Sequence, residues 1–182
     1  MKTLIVVDMQ KDFIDGALGT KEAEKIVSKV KAKIKKYSKE GGNIIFTRDT
    51  HSKKYMQTRE GKYLPVPHCI KGTPGWEIPE TLTSAAGEGA IIIDKKTFGY
   101  DKWGKVLKPL GTSAFEVVGL CTDICVVSNA LTIKALFPET DICVDAACCA
   151  GVTPAAHDAA LATMRSCQID ILHEGREPWR EC

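Results

Sequence analysis

The strongest constraint on this chain is a rhythm. Six short apolar runs, Thr3 to Val7, Asn43 to Thr47, Ala90 to Asp94, Phe115 to Gly119, Asp141 to Asp145 and Ile169 to Leu172, are separated by segments with helical spacing. Runs this short and this rich in Val and Ile read as strands covered on both faces, the pattern of a parallel sheet. In the first long interval Ile26, Val30, Ile34 and Tyr37 share one helical face, with lysines between them, which describes an amphipathic helix lying on the sheet. Asp123 to Phe137 reads as a second helix stopped by Pro138, and Pro154 to Cys167 as a third, with Pro154 suited to its first turn. The alternation implies an open six-stranded, mostly parallel α/β sheet with right-handed crossovers and helices on both faces, a Rossmann-like three-layer sandwich.

Composition narrows the class. A chain of 182 residues, 44% hydrophobic, can bury roughly 70% of its unfolded surface in one core. We therefore expect a single domain over residues 1–182, and collagen, low-complexity disorder and a small disulfide scaffold are excluded. Lys and Arg number 25 against 23 acids, but residues 21 to 40 alone hold eight lysines and three glutamates. A surplus confined to one helix reads as a solvated face, so no nucleic-acid partner is expected. No apolar run approaches the roughly 18 residues of a membrane span, and no secretory signal opens the chain. A cytoplasmic location follows, where the eight cysteines at 69, 121, 125, 143, 148, 149, 167 and 182 are expected to be free thiols.

In open parallel sheets ligands bind beyond the carboxyl ends of the strands. That points to Asp8, the 48–51 cluster, Lys95 and the loop Gly119-Leu-Cys-Thr-Asp-Ile-Cys125. Thr122 is placed as an N-cap, which puts Cys125 in a first helical turn, where free amides would lower a thiol's pKa and bind an oxyanion. On placement alone Cys125 is either reactive or a buried structural cysteine. Asp8 is either a general base beside that thiol or a helix-capping or surface aspartate. Lys95 and Lys96 point to opposite faces of their strand, so at most one joins a common centre. Between Thr47 and Ala90 runs a stretch of some forty residues with four prolines, long enough to suggest a functional loop. It carries Asp49, His51, Glu60 and His68, a carboxylate and imidazole set suited to zinc, iron or manganese, or else four unrelated surface polars.

Taken in order, VVDMQKDF, RDTH, PVPHCIKGT, IIIDK, GLCTDICV and DAACCAGVTPAAHDAAL resemble the isochorismatase-like cysteine hydrolase superfamily, and within it the nicotinamidases, over residues 2 to about 173. The resemblance implies Asp8 as general base, Lys95 rather than Lys96 as its cationic partner and Cys125 as nucleophile. It also implies a cis peptide between Leu120 and Cys121 and an oxyanion hole from the Cys121 and Cys125 amides. Asp49, His51 and His68 would be metal ligands with Glu60 as a fourth, the metal being a divalent ion, zinc above iron or manganese. The implied reaction is hydrolysis of nicotinamide to nicotinate and ammonia through a cysteine thioester; a sister activity on another small amide, carbamoyl compound or ureide is the alternative. Phe13 and Trp76 are candidates for stacking on the substrate ring, His157 carries no catalytic role, and relatives imply a homo-oligomer. After Lys95 this chain reads KTFGYDKWG, where many nicotinamidases have a Tyr-Ser-Ala-Phe-like segment, so its pocket wall differs there.

Overall fold

A computed structural model describes residues 1–180, and Cys182 lies outside the described residues. In chain order the elements are β1 (Lys2–Val7), α1 (Lys11–Ile14), α2 (Lys21–Lys39), β2 (Asn43–Asp49), α3 (Arg59–Tyr63), α4 (Glu80–Ala86), β3 (Ile91–Lys95), α5 (Trp103–Leu107), β4 (Ala114–Leu120), α6 (Val127–Leu136), β5 (Asp141–Ala150), α7 (Pro154–Ser166) and β6 (Asp170–Leu172). The strands form one sheet in the order β3-β2-β1-β4-β5-β6, and every pairing is parallel. This is the doubly wound order, in which the direction of strand addition reverses between β1 and β4. A crevice therefore opens beyond the carboxyl ends of those two strands.

Burial explains the elements. Leu4, Ile5, Val6 and Val7 of β1 are fully buried, as a central strand with helices on both faces requires. Thr20 caps α2 by accepting from the Ala23 amide at 3.0 Å, and Ala23, Ile26, Val30, Ile34 and Tyr37 turn inward. Lys33 is drawn in as well, its Nζ pairing with Glu116 of β4 and lying 2.5 Å from Asp145 of β5. The edge strand β3 departs from the expectation of two-sided cover, with Ile91 and Ile92 36% and 46% exposed. The stretch after Thr47 is less bare than expected: β2 runs on to Asp49, and α3, α4 and single 3₁₀ turns at Tyr55–Gln57 and Pro74–Trp76 order it.

One glycine sets the height of the crevice floor. Gly119 has φ +119°, and a Cβ there would sit 2.1 Å from the Val7 carbonyl oxygen, closer than any side chain tolerates. Its lack of one lets the end of β4 press against the end of β1, at the point where the β4–β5 register shifts between Val117 and Gly119.

Candidate active site

The first candidate side chain follows the end of β1. Asp8 adopts a left-handed backbone, φ +47°, a conformation aspartate tolerates better than most residues. Its amide donates to the Thr47 carbonyl at 3.2 Å, and the Thr47 hydroxyl donates to Asp8 Oδ1 at 2.7 Å. Oδ2 has no hydrogen-bond partner of good geometry among the described residues, although Lys95 Nζ lies 2.6 Å away as an ion pair. That oxygen keeps a lone pair for a proton. Burial raises the Asp8 carboxyl above its ordinary range, against the pull of Lys95; a raised pKa makes it a better base.

Lys95 ends β3 and is buried, while Lys96 is exposed, as strand alternation requires. Besides Asp8, its ammonium lies 3.5 Å from Cys125 Sγ, 3.5 Å from Asp49 Oδ1 and 3.1 Å from the Thr97 carbonyl oxygen. Burial disfavours the charge, but Asp8, Cys125 and Asp49 outweigh it and hold Lys95 protonated.

The loop that carries the candidate nucleophile Cys125 differs from expectation in two respects. The Leu120–Cys121 peptide is cis, and Thr122–Val126 forms a π-helical turn running into α6. Thr122 does not cap that turn; Cys121 stands at the cap position, and the Thr122 hydroxyl instead pairs with His157 Nδ1 at 2.7 Å. Nor is the Cys125 thiol acidified. Burial, then the Asp8 charge, push it well above its ordinary value, and Lys95 offsets only part of this. Burial dominates because a thiolate there would lose the water that stabilises its charge. Cys125 therefore rests as a thiol beside a base and a cation.

Next to Lys95 lies the cluster of Asp49, His51, Glu60 and His68, whose ligand atoms all fall within 4.8 Å of one another. Asp49 Oδ2 is 2.8 Å from His51 Nε2 and 3.7 Å from His68 Nε2. Glu60 Oε1 is 3.7 Å and 3.6 Å from the same two nitrogens. Donors about 2.0–2.1 Å from a tetrahedral cation stand roughly 3.3 Å apart, so the set fits one divalent ion. His68 is prepared for it: Nδ1 donates to the Val66 carbonyl at 2.8 Å, which leaves Nε2 as the free lone pair. Burial would raise Asp49, but the His51 ring hydrogen-bonded to it at 2.8 Å and the Lys95 charge hold it below the usual carboxylate range.

The two aromatic candidates part ways. Phe13 is tilted against His68, ring centres 5.4 Å apart. Trp76 is engaged elsewhere, with the Arg48 guanidinium 3.6 Å above its ring and Nε1 donating to Thr50 at 2.9 Å.

Three residues without an assigned role in the sequence hold the site together. Gln10 bonds the backbone of Asp49. Asp12 accepts from the Cys69 amide, beside His68, at 2.7 Å. Asn129, fully buried on α6, donates to the Cys125 and Phe98 carbonyls and accepts from the Tyr100 amide and Trp103 Nε1. For Asn129 the available signal was an amide within a largely apolar helix, Val126 to Leu131.

Comparison with known proteins follows the same geometry. The isochorismatase domain model matches residues 2–173. The nicotinamidase/pyrazinamidase of Mycobacterium tuberculosis is 27% identical over 189 aligned residues, spanning 94% of this chain and 98% of that one. A crystal structure of the pyrazinamidase of Pyrococcus horikoshii in complex with zinc is 33% identical, spans 94% of this chain and 98% of that one, and superposes with a TM-score of 0.81. For the pyrazinamidase/nicotinamidase of Streptococcus mutans the identity is 26%, the shares 94% and 100%, and the TM-score 0.84.

Proposed function

The chain belongs to the isochorismatase domain family, and from that membership and the geometry of its crevice we propose a metal-dependent cysteine amidohydrolase that converts nicotinamide to nicotinate and ammonia. The observation that carries this reading is the position of Lys95 Nζ, 2.6 Å from Asp8 Oδ2 and 3.5 Å from both Cys125 Sγ and Asp49 Oδ1. One buried cation joins a base, a thiol and the metal-ligand cluster.

In the proposed mechanism the free lone pair of Asp8 Oδ2 takes the Cys125 proton as sulfur attacks the amide carbonyl, and Lys95 balances the negative charge that results. Cys125 and Cys121 offer their amides to the carbonyl oxygen as it becomes anionic. Asp8 returns the proton to nitrogen, the C–N bond breaks, and ammonia leaves a Cys125 thioester. Asp8 then takes a proton from water, whose oxygen displaces sulfur to give the carboxylic acid and the regenerated thiol. Because Cys125 rests as a thiol, the order matters: Asp8 acts before, or together with, sulfur attack.

Asp49, His51, Glu60 and His68 would hold the divalent ion, which we take to be zinc, the metal in the Pyrococcus horikoshii structure. Bound there, the ion would supply a Lewis-acid site for a ring nitrogen, which would favour pyridine-type amides. Phe13, against His68, is our choice for the ring wall, and Trp76, already covered by Arg48, is assigned to the packing of the loop. The reading also takes the protein to be cytoplasmic, a location that the seven free cysteines among the described residues suit, and, by its family resemblance alone, homo-oligomeric.

The test is ammonia release over a panel of small amides, carbamoyl compounds and ureides. We expect nicotinamide to lead the panel and the Cys125→Ala protein to release no ammonia. Turnover of a carbamoyl compound with none of nicotinamide would transfer the assignment to a sister hydrolase.

A further inference from the structure

Behind the nucleophile loop the C-terminal tail, beyond the last family-matched residue 173, turns back into the protein. Glu177 is fully buried, a rare state for a carboxylate without a task or a partner. Its Oε1 accepts from the Gly175 amide at 3.2 Å and lies 3.3 Å from His157 Nε2, while Oε2 pairs with Arg180. Arg180 also pairs with Asp158, next to His157 on α7. The opposite ring nitrogen, His157 Nδ1, lies 2.7 Å from the Thr122 hydroxyl. Trp179 seals the group, its ring edge-on to His157 at 5.1 Å. Its Nε1 donates to the Cys149 carbonyl at 3.1 Å, on the residue that pairs with Gly119 in the sheet.

The chemistry of these groups gives the chain a direction. A carboxylate only accepts, so Nε2 of His157 carries the proton and Nδ1 must accept. The Thr122 hydroxyl is then the donor, with its rotor fixed. Thr122 sits between Cys121 and Cys125, inside the turn that presents both proposed oxyanion amides. Asp123 is tied from the other side, accepting from the Val152 amide at 2.9 Å. We infer that Glu177, His157 and Thr122 form a positioning relay through which the C-terminal tail fixes the nucleophile loop. None of the three touches the reacting atoms. The inference rests on the reading of Cys125 as the nucleophile.

The test uses the full-length, metal-loaded protein and the variants Thr122→Val, Thr122→Ser, Glu177→Ala and Thr122→Val/Glu177→Ala. Amide hydrogen exchange over residues 120–126 needs no substrate, and should speed up at least tenfold in Thr122→Val and Glu177→Ala while β1 and β2 stay protected. On whichever panel amide the wild type hydrolyses best, kcat should fall at least tenfold with KM within twofold. Thr122→Ser should restore most of the activity. The double variant should be no slower than the slower single, since both changes break one chain of contacts. Unchanged loop exchange in Glu177→Ala, or losses that multiply in the double variant, would overturn the relay. A wild type inactive on nicotinamide would instead overturn the substrate assignment and leave the exchange result to judge the relay.

Discussion

Gln10 holds both backbone groups of Asp49. Its Oε1 accepts from the Asp49 amide at 2.7 Å, and its Nε2 donates to the Asp49 carbonyl at 2.9 Å and to the Trp76 carbonyl at 2.8 Å. Two residues past Asp8, a side chain from the end of β1 thus fixes a proposed metal ligand at the end of β2 and the turn that folds the long segment over it. Replacing Gln10 with Ala strands these backbone groups in a buried place. Each buried unsatisfied group costs about 1–3 kcal/mol. Loss of such an outer contact typically lowers metal affinity about 10–100-fold. We expect Gln10→Ala to lower the urea midpoint and to lose zinc at chelator concentrations that leave the wild type loaded, measured by metal analysis after dialysis.

Metal removal should separate ligand from scaffold. Ordering of residues 50–76 depends on few apolar contacts beyond Tyr55, Cys69 and Trp76, so a bound ion adds stability to the folded state alone. At a free concentration 100 times Kd that gain is about 2.7 kcal/mol. Chelator should lower the thermal midpoint by several degrees and zinc should restore it. In Glu60→Gln the zinc-dependent shift should shrink; in His51→Ala it should vanish. An equal shift in all three proteins would remove these residues from the site.

What could be read from residues alone follows the physics of parallel sheets. Buried strands announce themselves by β-branched runs, and their carboxyl ends converge on one crevice, so Asp8, Asp49 and Lys95 were pointed out by position. Other features have no periodic signal. β5 continues through Ala146 to Ala150, small residues that resemble a loop or a helix equally well. Gln10 and Asn129 act on backbone groups distant in sequence. The helix-terminus argument for Cys125 was local, whereas its protonation is decided by burial among residues from three strands. Glu177 reaches His157 only because the tail folds back.

Asn129 supplies a test of the segment that distinguishes this chain. Its amide satisfies Cys125, Phe98, Tyr100 and Trp103 at 2.7, 3.1, 2.9 and 2.8 Å, tying residues 98–103 to the helix that follows Cys125. Asn129→Asp keeps the acceptor and replaces the donor to two carbonyls with a second acceptor. We expect a loss of roughly 2–4 kcal/mol in denaturant melts, of the size that follows breaking a buried polar network. We also expect a raised KM, because the pocket wall shifts. An unchanged KM would separate residues 98–103 from the substrate.

Acid should weaken the tail before it weakens the rest. Burial, with Arg180 adding to it, lowers the His157 pKa below its ordinary 6.5, and the Glu177 and Asp158 charges do not compensate. As pH falls below 6.5 the unfolded chain takes up a proton on this histidine that the folded chain refuses, so stability falls at up to about 1.4 kcal/mol per pH unit. Glu177 likewise favours its deprotonated form in the folded chain and acts in the same direction. Arg180 and the amides around it, against burial, hold its pKa below 4.5, so its stabilisation is intact above that pH and is lost only as pH falls further. Between pH 6.5 and 5 the histidine therefore acts without it. Urea midpoints of the wild type and His157→Gln at pH 7.5, 6.5 and 5.5 should converge as pH falls, because only the wild type carries the penalty. A gap between the two proteins that stays constant across that range would mean that His157 is not held neutral, and Thr122 would no longer be required to be the donor.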